Sequence, residues 1–131
     1  MKAQIMTEKT AYTVDYPPAI VTAQRQFKTL WSAEELGVEK DEDDVRSRLL
    51  PSERNGLIHC LKLFTQYELE IGEEFWTGWF FENFPRHDMR RGASACGFVE
   101  LNSHAPFYAL INETLNLAND EFYNSWRQDP V

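Results

Sequence analysis

Between Pro51 and Pro85 the chain carries no proline, and apolar residues recur there at Leu57, Leu61, Phe64, Ile71, Phe75 and Trp79. Steps of three, four and seven trace one face of an α-helix. Leu50-Pro51-Ser52-Glu53-Arg54 is a helix-start signal, because proline is tolerated at the first helical position. A helix of about 30 residues would be roughly 45 Å long at 1.5 Å per residue, a length that suits a bundle. Asn83-Phe84-Pro85-Arg86 reads as the turn, and a second long helix is expected from about Arg86 to Leu115. Its apolar or small positions are Ala93, Gly97, Phe107, Ile111 and Leu115. Pro106 lies inside it and should remove one backbone hydrogen bond, so a kink or bulge is expected there.

The remaining segments are short. Residues 1–18 read as an irregular lead-in ending at Pro17-Pro18, and residues 19–131 as one helical domain. A short helix is expected over Ala19–Lys28, a turn capped by Ser32 with Glu35 near Leu36, and a last short helix over Asp120–Gln128. The acidic run at 39–44 reads as a solvated stretch or a helix start. No strand-period pattern, internal repeat or low-complexity segment is found. The expected fold is all-α, with two long antiparallel helices plus short helices. Their wide apolar faces call for a partner, so the isolated chain is expected to self-associate or to dissolve poorly.

Composition narrows the function. The 131 residues suit one domain, and 43% hydrophobic content excludes a disordered chain. The formal net charge is −8, which argues against nucleic acid as a partner; Arg86, Arg90 and Arg91 form the one tight basic cluster. No signal-peptide run and no segment of membrane-spanning length is seen, so a membrane is not an expected partner. Cys60 and Cys96 sit in apolar helical patterns and read as buried free thiols of a reducing, intracellular compartment.

The functional signal lies in residues that interrupt the apolar faces. On the first helix, position 68 of the stripe is Glu. On the second, positions 100 and 104 are Glu and His, and Tyr108 lies one turn beyond His104. Singly, each has an ordinary reading: a paired or boundary acid, a satisfied core histidine, a packed tyrosine. Together, three ligand-type side chains on two adjacent helices answer the cost of burying a carboxylate, and carboxylates with imidazole suit iron, manganese or zinc. Di-metal helical bundles build their sites from such residues. Glu70, Glu73, Glu74 and Glu82 fall off the stripe and read as solvent-facing.

Four stretches resemble the N-terminal half of the small, radical-generating subunit of class I ribonucleotide reductase. They are Leu30-Trp31-Ser32-Ala33-Glu34-Glu35-Leu36, Leu50-Pro51-Ser52-Glu53-Arg54, the run Leu61 to Glu68, and Glu100-Leu-Asn-Ser-His104-Ala-Pro-Phe-Tyr108. The resemblance spans about residues 27–115 and implies half of a ferritin-like helical bundle. It implies Glu68, Glu100 and His104 as ligands of two metal ions, iron or manganese with di-iron favoured. It implies Tyr108 as the radical tyrosine and Trp31 on the route to the large catalytic subunit, where ribonucleotides become deoxyribonucleotides for DNA replication. It further implies a homo-oligomeric small subunit in the cytoplasm, the host cytoplasm if the source is viral.

Three features depart from the family pattern. Position 68 is Glu where Asp is usual. Glu100 and His104 are four apart where three is usual, a difference that a helical bulge would absorb. No counterpart of the second Glu, the second Glu-x-x-His pair or the docking tail follows residue 115. The expected remedy is a split subunit, its C-terminal half supplied by a separate chain. The alternatives are a homodimeric ferritin-like metal-binding or oxidase protein, and a non-catalytic helical interaction module.

Overall fold

Pro51 opens the first long helix, and the Glu53 carboxylate accepts the Leu50 N–H at 2.8 Å, which satisfies a donor that the helix itself cannot. The computed structural model describes residue 1, residues 3–125 and residue 128. In these, α1 spans Pro17–Lys28, α2 spans Pro51–Leu69, α3 spans His87–Val99, α4 spans Ala105–Thr114 and α5 spans Asp120–Ser125. Helix α2 runs on without a break through π-helical turns at Glu70–Phe80 and a last turn at Phe81–Asn83. Helix α3 runs into α4 through a π-helical turn at Glu100–His104. Two long antiparallel helical runs thus meet at Phe84-Pro85-Arg86, as the sequence predicts. No strand occurs among the described residues, and the all-α, half-bundle expectation holds. No described helix is long and apolar enough to cross a membrane.

Several details differ from expectation. Helix α1 starts at Pro17, because two prolines fit the first turn, whose N–H groups have no helical partner. The lead-in contains a 3-10 turn at Gln4–Met6. Ala33–Leu36 forms a 3-10 turn, but the Ser32 side chain makes no capping bond, and Gly37 ends the turn at φ 64°. The last helix is seen to Ser125, and its expected continuation through Trp126 and Arg127 lies outside the described residues. Cys60 is exposed rather than buried. Cys96 is buried, and burial, followed by the Glu100 carboxylate, pushes its thiol above the usual range.

Contacts divide the chain into two compact units, Met1–Leu30 with Leu69–Asn102, and Trp31–Glu68 with Ser103–Val131. In the first, α1 and the π-helical run pack on α3. Gly97 makes this possible: a Cβ there would lie 2.5 Å from Thr77 Cγ2 and 3.3 Å from the Gly72 carbonyl oxygen. The Thr77 hydroxyl donates to the carbonyls of Gly72 and Glu73 at 3.0 and 3.1 Å, which holds the widened turns together. Gly97→Ala would gain up to about 1 kcal/mol of helix propensity but lose about 1–3 kcal/mol to overpacking. A lower midpoint in urea unfolding is the expected result.

The lead-in is pinned to the start of α3. Asp88, 1% exposed, accepts the N–H groups of Asp15 and Tyr16 at 2.6 and 2.7 Å. Arg86 donates to the Gln4 carbonyl, to Thr7 Oγ1 and to the Asp15 carboxylate. Arg86 is therefore a buried clamp rather than part of a basic surface cluster. Hydrogen bonds from Lys9 and Thr13 hold the Asp15 carboxyl below its ordinary range.

The second unit is built on Val45, Leu61, Leu115 and Phe122, with Tyr108, Ile111 and Leu57 packed around them. The stripe read from the sequence is only partly the buried one. Leu61 and Glu68 are buried, whereas Phe64, Ile71, Phe75 and Trp79 stay 38–53% exposed. Beyond Glu68, Gly72 and Trp76 face α3 instead, because glycine permits the close approach that the larger stripe residues forbid. A continuous apolar face of the first long helix is left open.

Candidate metal centre

Glu68 ends the buried face of α2, with a side chain 12% exposed. Opposite it stands His104, at the end of the π-helical turn, with Nδ1 at 3.4 Å from Glu68 Oε2. Glu100 begins the same turn. In a π turn each N–H bonds the carbonyl five residues back, so the turn holds an extra residue. The bulge expected from the four-residue spacing and from Pro106 therefore falls on the Glu100–His104 segment itself. Pro106 lacks the N–H, and its ring would collide with the carbonyl four residues back in a regular α-helix. A widened turn just before it relieves both.

One ligand atom from each of Glu68, Glu100 and His104 lies within 4.8 Å of the others. Gly72 packs beside this segment: a Cβ there would lie 2.9 Å from the Leu101 side chain and 3.2 Å from Glu100 Cβ. Two carboxylates and an imidazole at this separation can share one cation, with oxygen and nitrogen donors that suit first-row transition metals. The donor chemistry thus fits a metal of the iron or manganese type.

Around His104 the aromatic residues form a connected group. Trp31 stacks on the His104 ring with centroids 5.6 Å apart, and meets Phe107 edge-on at 6.1 Å. Phe107 meets Tyr108 at 5.1 Å, and Tyr108 stacks on Phe64 at 5.8 Å. All five residues singled out in the sequence lie in or beside this group. Two residues that the sequence reading passed over belong with it. Ser103, fully buried, donates to the Trp31 carbonyl at 2.7 Å and so ties Trp31 to the ligand-bearing turn. Asn112, also fully buried, donates to Thr65 Oγ1 at 2.8 Å. Their signal in the sequence is faint: single small polar residues on helices rich in such residues.

No curated protein sequence matches the chain significantly. The family described as ribonucleotide reductase, small chain, matches residues 8–131, nearly the whole length. On that match, and with an all-α fold that fits it, the chain belongs to the ribonucleotide reductase small-chain family.

Proposed function

We propose that this chain supplies three ligands of a two-metal centre and the radical tyrosine of a class I ribonucleotide reductase small subunit. The observation that carries the reading is the convergence of Glu68, Glu100 and His104, with Tyr108 four residues beyond His104 on the same helical run, in a member of this family. Glu68 and His104 would each bind through the atoms that now face one another, and Glu100 would reach the same ion from the widened turn. The two metal ions, iron in preference to manganese, would supply one-electron oxidation driven by dioxygen. Tyr108 would give up one electron and its phenolic proton and so become a tyrosyl radical. Trp31, stacked on His104, would pass the oxidising equivalent toward the large subunit, where ribonucleotides are reduced.

Three ligands do not complete a two-metal site, which in ferritin-like proteins draws on four helices. The open face of Phe64, Ile71, Phe75 and Trp79 adjoins Glu68 along one helix and offers a seat for the missing helices. In this reading further helices bring the second Glu and the second Glu-His pair, and the assembled small subunit is itself a homo-oligomer acting in the cytoplasm. Metal analysis tests it. Iron or manganese should be retained by the assembled small subunit and absent from residues 1–131 alone. Stoichiometric metal in the chain alone would instead favour a homodimeric oxidase.

A further inference from the structure

Asn112 is fully buried, and its Oδ1 has no hydrogen-bond partner among the described residues. Its Nδ2 donates to Thr65 Oγ1, and that hydroxyl in turn donates to the Leu61 carbonyl at 2.6 Å. A half-satisfied amide is a poor source of stability, because one acceptor is desolvated without return. An apolar pair would fill the same space without that cost. The arrangement makes sense for what it forbids.

We infer that the Asn112–Thr65 pair is a register lock, which positions α2 against α4 so that the candidate ligands and Tyr108 meet their partners; it rests on the metal-centre reading only for its consequence. Along the two helices Leu61 and Leu115 share one buried cluster at one end, and then Thr65 pairs with Asn112, Phe64 with Tyr108, and Glu68 with His104. The apolar members alone would tolerate a slip of one turn, about 5.4 Å, since leucine and aromatic side chains recur at that interval. Slipped one way, Asn112 would face Leu61 with both amide atoms buried and unpaired. Slipped the other way, Thr65 would face Leu115. Either slip separates His104 from Glu68. A single buried polar pair can thus select one register at a cost in stability, the best-attested use of such groups. Asn112 and Thr65 are positioning residues here, since neither belongs to the ligand set.

The test uses the full chain with selectively labelled leucine methyl groups and aromatic rings. In the wild type, nuclear Overhauser contacts join Leu61 to Leu115 and Phe64 to Tyr108. In the double variant Thr65→Val with Asn112→Leu, melting is expected at or above the wild-type temperature while those contacts weaken or multiply into alternatives. Thr65→Ser, which keeps the hydroxyl, should preserve them. Cobalt(II) titration of the assembled small subunit, followed by visible absorption, reads the consequence separately: the double variant should bind at least about tenfold more weakly, the scale of loss when groups that orient ligands are removed. A double variant that retains the wild-type contacts overturns the proposal. So does one that melts well below the wild type, because the pair would then be a stability element. Absence of cobalt binding by the assembled wild-type small subunit would overturn the metal-centre reading alone, and the ring and methyl contacts would still decide the register lock.

Discussion

Glu68→Gln is expected to abolish metal retention by the assembled small subunit while leaving the metal-free chain as stable as before or more so. The two effects have one cause. The Glu68 carboxylate is buried, with a side chain 12% exposed, and withdrawing a charge from water costs several kcal/mol unless a cation or a full set of hydrogen bonds compensates. Glutamine keeps the shape and removes the charge, so the metal-free fold gives up the ion pair with His104 together with the cost of holding that charge out of water, and the two offset each other. The metal loses an anionic ligand, and an affinity loss of about a hundredfold or more, near 2.7 kcal/mol, is expected. His104→Ala should match it in metal loss, and Glu100→Ala measures whether the widened turn contributes a ligand. The interaction-module alternative predicts the reverse. If the Glu68–His104 pair only sets the packing, Glu68→Gln lowers the melting temperature and leaves metal content at the same background as the wild type. Plasma emission spectroscopy and thermal unfolding on the same samples separate the two.

What the sequence made legible follows from how local each feature is. Glu68, His104 and Tyr108 could be found because a polar or phenolic residue on an apolar helical period is visible without knowing its neighbours. The bulge at Glu100–His104 was legible only in part: Pro106 is written in the chain, whereas a spacing of four becomes a signal only beside the family's usual three. The packed face beyond Glu68 was not. Periodicity marks Ile71, Phe75 and Trp79 as core, yet the face used is that of Gly72 and Trp76, because Gly97 lets the helices come closer than large side chains allow. Glycine carries no apolar signal, so a contact built on its small size leaves the periodic pattern pointing elsewhere. Arg86 and Asp88 were unreadable in another way. Their partners, Gln4, Thr7, Asp15 and Tyr16, lie some seventy to eighty residues away in the sequence, and most are backbone groups with no side-chain signature. The Asn112–Thr65 pair fails on both counts.

Tyr108→Phe should erase the tyrosyl radical signal and reductase turnover while sparing the fold and the metal. The ring stacks on Phe64 at 5.8 Å and touches Phe107 at 5.1 Å, contacts that a phenyl group keeps. Only the hydroxyl is lost, worth about 0.5–1.5 kcal/mol in stability if it is hydrogen-bonded. Its chemical weight is far greater, because a phenyl ring has no acidic proton to release with the electron. Turnover is expected to fall by about a thousandfold or more, an increase of roughly 4 kcal/mol in the barrier. Electron paramagnetic resonance on the oxygen-treated complex, with the large subunit for turnover, reads both quantities. A tyrosyl signal that survives Tyr108→Phe would move the radical to another tyrosine. Trp31→Phe completes the argument by separating formation from transfer. Its ring touches His104 and Phe107 rather than Tyr108 itself. It should therefore leave the radical signal in place and lower turnover, whereas a ring needed only to pack around the ligand-bearing turn would lower metal content together with both.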